Sequence, residues 1–200
     1  MSIATHAELQ TAISSWLHRS DLVSYAADFV MLGESRIYAD LRVRAMETST
    51  SIAGVSPAVP SDYVELKHAY ITSDTPYTKL ERKKADWLLS SYPLRSAQGK
   101  PSFIAREESS FIFGPCPDST PTTKLVYYKH LTALSSSTNS IFLSYPGLYL
   151  FAALAETAPF LKDDKRVALW EAKYAELKNR VQAESDREET SGSSLRMVPG

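Results

Sequence analysis

The sequence predicts an α+β protein: a mainly α-helical bundle formed by the N- and C-terminal helices, with an inserted small antiparallel β module and a flexible C-terminal tail. Two observations predict this fold class. Apolar residues recur at helical spacing near both ends, while short alternating segments rich in Val, Tyr and Thr occupy the middle. We expect the bundle to comprise residues 1–47 and 140–185, the β-rich insertion 48–139, and the extended tail 186–200.

The first helix has both a start signal and an apolar face. Thr5 and Glu8 fit a capping box, in which each side chain satisfies a free backbone N–H at the helix start. Apolar residues then follow at helical spacing: Leu9, Ile13, Trp16 and Leu17. These residues predict one helix face packed against the core.

A second helix is predicted from about Leu22 to Ala45. Gly33 falls within its apolar stripe, where glycine costs about 1 kcal/mol of helix propensity. Close approach of another backbone and simple tolerance of the glycine explain its presence equally well.

The middle of the chain predicts strands. Thr48-Ser49-Thr50-Ser51 and two prolines end the second helix, and Tyr63 to Ile71 then alternates between apolar and polar residues. Further strands are predicted at Ser102–Ala105, Phe111–Phe113 and Thr122–His130, with a short helix at Leu80–Ser91.

Helices return after the polar linker 135–140. Pro146 suits the first turn of an apolar helix that reaches Ala155, and Asp163-Asp164 suit the start of a last helix. The last helix carries apolar residues at alternating three- and four-residue spacing: Val167, Trp170, Tyr174, Leu177 and Val181. This spacing is typical of a packing seam.

Composition narrows the function classes. The net charge of −1 gives no global basic field for holding nucleic acid. The single cysteine, Cys116, cannot form an internal disulfide, and the N-terminus lacks a signal-peptide pattern. The apolar stretch Leu148–Ala155 is too short to span a bilayer. We therefore expect the protein to be synthesised in a cytosol and not to associate with a membrane.

No residue pattern predicts catalysis, a metal or a cofactor. The sequence contains no P-loop, dinucleotide fingerprint or hydrolase elbow, and its four histidines have no metal-site spacing. Cys116 lies in a Pro-rich turn without a neighbouring base. The carboxylate pairs Glu107-Glu108 and Asp163-Asp164 fit a hairpin turn and a helix start better than an acid/base pair.

Basic residues gather at two places: Arg36, Arg42 and Arg44 in one, and Arg82-Lys83-Lys84 in the other. Phosphate contacts would use such residues. A solvated face or ion pairs between subunits explain them better. The eleven tyrosines favour interfaces, because tyrosine combines apolar area with a polar tip.

Several segments, in this order, resemble the head-to-tail adaptor proteins of tailed bacteriophages. The similar segments are Ala7–Leu22, Gly33–Ile37, Pro60–Leu66, Phe113–Asp118, Leu125–Tyr128 and Pro146–Ala172.

The resemblance implies a structural virion protein of the neck, assembled in the host cytoplasm. Such adaptors form a ring, commonly of twelve copies, beneath the portal protein. The ring extends the channel through which DNA passes without sequence-specific binding, and it gives the tail or nozzle protein a docking platform. A C-terminal tail that contacts the portal is implied here at Leu195, Arg196, Met197 and Val198. Packing between subunits is implied for Trp170, Tyr174 and Leu177.

Three other functions stay open at this point. The chain could be another neck or tail-completion protein. It could be a virion-associated cell-wall hydrolase with Glu107 or Glu108 as its acid. It could also be a nucleic-acid-binding module.

Overall fold

The computed structural model describes residues 3–96, 98–161 and 165–191. The chain divides into two compact units. The helical unit contains Met1–Ala45 and Leu131–Gly200, and the sheet unit contains Met46–His130.

The helices are α1 His6–Leu17, α2 Ala26–Asp40, α3 Ala85–Ser91, α4 Ser140–Ser144, α5 Pro146–Ala155 and α6 Arg166–Thr190. The strands are β1 Glu47–Ala53, β2 Tyr63–Ile71, β3 Thr78–Arg82, β4 Phe103–Glu107, β5 Ser110–Gly114 and β6 Thr122–Lys129. Short 3₁₀ segments occupy Ser20–Tyr25, Arg44–Met46 and Ala158–Phe160.

Local chemistry fixes the ends of the first two α-helices. The Thr5 hydroxyl accepts from the Glu8 N–H at 3.2 Å, and the Glu8 carboxylate accepts from the Thr5 N–H at 3.0 Å. This confirms the capping box. α2 ends at Asp40, five residues before the predicted Ala45. Its end is stabilised by the Arg42 guanidinium, which donates to the Tyr38 carbonyl at 2.9 Å.

The helical unit depends on a close contact between α2 and α5. A Cβ on Gly33 would lie 2.8 Å from the Ala153 nitrogen and 3.1 Å from the Ala152 carbonyl carbon. Of the two explanations for this glycine, close backbone approach is therefore the right one. α5 is apolar on nearly all sides because its residues from Leu148 to Ala155 are almost all buried.

The sheet unit is one six-stranded sheet in the order β1-β6-β2-β3-β4-β5. Its neighbouring strands pair antiparallel except for β3 and β4, which pair parallel. Its core contains buried apolar residues from five of the strands: Leu66, Ala69, Ile71, Leu80, Ile104, Phe111, Phe113, Leu125 and Tyr127. The short helix α3 buries Leu88 against Ala105 and Ile112.

The predicted fold class is wrong in its proportions of helix and strand and in the size and type of its sheet. The chain is α+β with 23% strand and 46% helix, and its sheet is curled and mixed rather than a small antiparallel module attached to a mainly helical bundle. Two strands account for the difference. The Thr48–Ser51 run, interpreted as a helix break, lies in β1. Residues Leu80–Arg82, assigned to a helix, belong to β3.

Both strands form because neighbouring strands supply their backbone hydrogen-bond partners. Every residue of β1 is paired with β6, from Glu47 opposite Tyr128 to Ala53 opposite Thr122. Such ladders use N–H and C=O groups that any residue except proline supplies in full. A polar Ser/Thr run can therefore form a strand where a neighbouring strand offers hydrogen bonds.

The chain divides after Ala45 and after His130. The return segment 131–139 belongs to the helical unit because the buried Glu34 carboxylate accepts from the Leu134 N–H at 2.9 Å.

The Asn139 side-chain oxygen accepts from the Phe142 N–H at 2.9 Å and from the Tyr149 hydroxyl at 3.0 Å. Burial raises the pKa of Tyr149, so its hydroxyl stays protonated and donates.

Replacement of Gly33 tests the α2–α5 contact. Gly33→Ala is expected to lower the free energy of unfolding by about 1–3 kcal/mol, because the added carbon overlaps the backbone of Ala153. Urea denaturation measures the change. Gly147→Ala is the matched control: its Cβ would meet only Leu177 Cδ1 at 3.6 Å. The control should gain roughly 0.5–1 kcal/mol from the lower entropy of its unfolded chain. Equal effects of the two substitutions would contradict the close approach.

Candidate interaction surfaces

Two of the three residues predicted to lie between subunits occupy the core of the helical unit. Trp170 is 2% exposed and Tyr174 is 1% exposed, while Leu177 is half-buried. The Tyr174 hydroxyl donates to Asp40 at 3.0 Å, which joins α6 to α2. Trp170 and Tyr174 thus pack within their own chain. A role for these three residues between subunits stays a prediction.

The predicted portal-binding residues Leu195, Arg196, Met197 and Val198 lie outside the described residues. Only the start of the predicted tail is described: residues 186–190 continue α6 to Thr190. Ser185, just before them, is buried and accepts from the Arg44 N–H at 2.9 Å. This contact holds the last part of α6 against the body of the unit.

Arg36 joins three helices of the helical unit. Its guanidinium donates to both carboxylate oxygens of Glu171, at 2.6 and 2.9 Å, and to Glu156 at 3.3 Å. It also lies 4.4 Å from the ring centre of Tyr174. The hydrogen bond from Arg36 holds the pKa of Glu171 below its usual value of 4.5. These ion pairs of Arg36 are thus made within its own chain, by partly exposed side chains.

One end of the helical unit carries a cluster of exposed apolar side chains. The segment Ser20–Tyr25 turns the chain between α1 and α2 at this end. The Arg166 guanidinium, at the start of α6, donates to the Trp16 carbonyl at 3.1 Å, so α6 begins at the same end. The cluster, here called the loop-end surface, consists of Trp16, Tyr25, Phe160 and Leu169, each between 44% and 58% exposed.

Ring contacts hold the loop-end surface in place. Trp16 meets Phe151 edge to face with centroids 5.5 Å apart. Phe160 lies 5.6 Å from Tyr25 and 5.1 Å from Phe29. An open groove of about 430 Å³ is lined by Trp16, Leu169 and Trp170 among others. Anchored aromatic rings with exposed faces are typical of a protein interface.

Sequence reasoning missed the loop-end surface. It placed Trp16 in the buried stripe of α1, but only its neighbours Leu9, Ile13 and Leu17 are buried. Trp16 lies at the edge of that stripe. Helical spacing does not show whether a residue at the edge is covered, since that depends on where α6 and Phe160 pack.

The sheet unit carries a groove lined by four cationic side chains: Arg82, Lys83, Lys84 and Arg106. We call it the basic groove. Strands β3 and β4 pair in parallel, with Arg82 opposite Ile104. This pairing brings Arg106 of β4 to a cluster that the sequence showed only as residues 82–84. Arg82 pairs with Glu65 at 3.1 Å. Lys83 lies 5.1 Å from the ring centre of Trp87.

The remaining candidates lie in turns. Glu107 ends β4, and Glu108 occupies the tight turn to β5 with a φ of 49°. Both are exposed, as expected for a hairpin turn. Cys116 follows Pro115 just beyond β5 and is half-buried. Among residues 3–96, 98–161 and 165–191, no three His, Cys, Asp or Glu side chains converge as metal ligands.

None of the helices described is both long enough and apolar enough to cross a membrane.

Comparison with protein families decides the identity of this two-unit chain. The model of the family described as SU10 adaptor protein matches residues 4–198. The chain belongs to the SU10 adaptor protein family. No curated protein matches it.

Membership in the SU10 adaptor family confirms the resemblance to phage head-to-tail adaptors. It makes the chain a structural phage protein and a virion component.

The Arg36 contact predicts a pH dependence of stability. Because the pKa of Glu171 is lower in the folded chain, its ion pair stabilises the fold above pH 4.5, and this contribution is lost as the pH falls through the folded pKa. Arg36→Met is expected to cost about 1 kcal/mol at pH 7 after allowance for solvent screening, and to lose less stability than the wild type on acidification. Urea denaturation at pH 7 and pH 3 measures both effects. Lys124→Met, which removes an exposed cation of β6, is the control and should change neither. If Arg36→Met lost as much stability on acidification as the wild type does, the stabilising role of the Arg36–Glu171 ion pair would be refuted.

Proposed function

We propose that this adaptor forms a ring, of twelve copies, beneath the portal protein, where it extends the DNA channel and gives the tail a docking platform. The family match over residues 4–198 is the observation that carries the proposal. The exposed surfaces of the chain support it, because a ring subunit needs contacts beyond those of its own core.

The loop-end surface supports contact with another virion protein. Soluble monomers scatter their exposed apolar residues, whereas a cluster of them marks an interaction site. Tyr25 and Phe160 contact each other here, and Trp16 and Leu169 line one groove. Burial of such rings in a partner would supply the apolar centre of an interface.

We propose that the helical unit contacts its partners through two different segments. The loop-end surface lies at the start of α6, and residues 192–200 follow its end. The 25 residues of α6 span roughly 37 Å. We propose that residues 195–198 contact the portal while the loop-end surface contacts a different protein, such as the tail or nozzle protein.

Mixing the purified adaptor with portal rings tests the proposed function. Electron microscopy and sedimentation should show a second ring stacked on the portal. Portal rings without the adaptor provide the control. Intact portal rings that stay bare would contradict the proposal. Binding to tail protein without portal would instead favour a tail-completion role.

Shortening the chain tests the portal-binding segment. A chain ending at Ser191 should bind portal at least about tenfold more weakly, since it lacks the four proposed contact residues. Its helicity should be unchanged, because α6 ends at Thr190. Leu195→Asp with Val198→Asp in the full chain should have the same effect. Unchanged affinity of both variants would refute the assignment of residues 195–198.

Charge substitution tests the loop-end surface. Leu169→Asp should weaken binding of the tail-side partner to the ring by at least about tenfold, because it places a carboxylate in an apolar contact. Met31→Asp is the matched control, since Met31 is 60% exposed and Leu169 is 58% exposed. Equal losses in the two variants would show that the effect is not specific to this surface.

A further inference from the structure

The most basic and the most acidic short segments of the chain lie in different units. Residues 79–84 contain four cations, and residues 184–189 contain four carboxylates. The first segment belongs to the sheet unit and the second to the helical unit. The two segments are complementary in charge.

The basic groove gathers more positive charge than its neighbours neutralise. Arg82 is paired with Glu65 and Lys83 with Glu81. Lys84 and Arg106 add two further exposed cations to the same groove. Like charges held this close repel one another, so binding of an anionic group would lower the energy of the cluster. Trp87, 42% exposed, gives the rim of this region an apolar contact.

The end of α6 has the opposite character. Glu184, Asp186, Glu188 and Glu189 are exposed in its last two turns, and Arg187 is the one cation of the final turn. Carboxylates at a helix C-terminus oppose the helix dipole, which favours cations there. A cationic partner would relieve that repulsion.

We propose that the basic groove of one copy binds the acidic end of α6 of a neighbouring copy. The inference rests on the proposed ring and names the contact that builds it. The two surfaces are different parts of one chain, so the contact is head-to-tail. Repeated head-to-tail contacts close into a ring when the rotation between copies allows it. A contact between two identical patches joins only two copies and cannot build a larger ring.

The groove suits a helix end better than a nucleic-acid backbone. Glu65 and Glu81 lie beside two of its cations and would repel a continuous chain of phosphates. A helix end brings only a few carboxylates, which match the cations of Lys84 and Arg106. DNA is therefore the competing occupant that the experiment must separate from a second copy.

Reciprocal charge reversal tests the contact. The groove variant carries Lys84→Glu and Arg106→Glu, and the helix variant carries Asp186→Lys and Glu188→Lys. Each alone should self-associate at least about tenfold more weakly in sedimentation equilibrium, and wild-type association should weaken as salt is raised. An equimolar mixture of the two variants should regain association, because opposite charges face each other at both kinds of contact between unlike copies: altered groove with altered helix end, and native groove with native helix end. Lys124→Glu in the sheet unit and Glu176→Lys on α6 are matched controls expected to behave like the wild type.

Cross-linking gives a second readout that needs no portal. In a Cys116→Ser background, copies carrying Lys84→Cys are mixed with copies carrying Glu188→Cys and treated with a short bismaleimide. The mixture should give a cross-linked dimer, and each variant alone should give only background.

The possible negative results bear on different claims. No dimer from the mixture, either in concentrated protein or on portal rings, would overturn the inference. Salt-dependent DNA binding that only the groove variant loses, with self-association unchanged, would assign the groove to DNA instead. The proposed function fails separately, through portal rings that stay bare.

Discussion

The contact of α2 with α5 at Gly33 is the constraint on which the helical unit depends. It brings a helix from the first 45 residues against one from the last 70, with only hydrogen in place of a side chain between them. Arg36, almost one helical turn after Gly33, then adds α6 through Glu171. Gly33 sets the distance between α2 and α5, and the buried Glu34 ties the return segment to α2 through the Leu134 N–H. The sheet unit is an insertion into a body that the two chain ends complete together.

The sequence predicted a structural feature correctly where the residues of that one element determine it. The Thr5–Glu8 capping box, the Pro146 helix start and the limits of β2 follow from local chemistry, and the structure has all three. β1 and β3 could not be predicted in this way, because β6, β2 and β4 supply their hydrogen-bond partners from distant parts of the chain. The exposure of Trp16 likewise depends on how other helices pack. Local patterns thus predicted helix faces and strand limits, but not sheet size or the interaction surfaces.

Family membership and the surfaces lead to the same kind of function. An adaptor acts by holding partners, so its chemistry lies in apolar area and charge rather than in a reactive group. The loop-end surface offers aromatic rings fixed by Phe151 and Phe29. The basic groove and the acidic end of α6 offer opposite charges on different units. Apolar burial would supply the affinity for a partner, and the charges would select which surfaces meet.

Native-state hydrogen exchange tests most directly whether the two chain ends form one body. The most protected amides of α2, α5 and α6 should exchange with the same free energy and the same dependence on added urea, because none of these helices can open without exposing the others. Exchange of α6 at a distinctly lower free energy, with its own smaller urea dependence, would show that it unfolds alone. In that case the helical unit described here would not be a single cooperative structure.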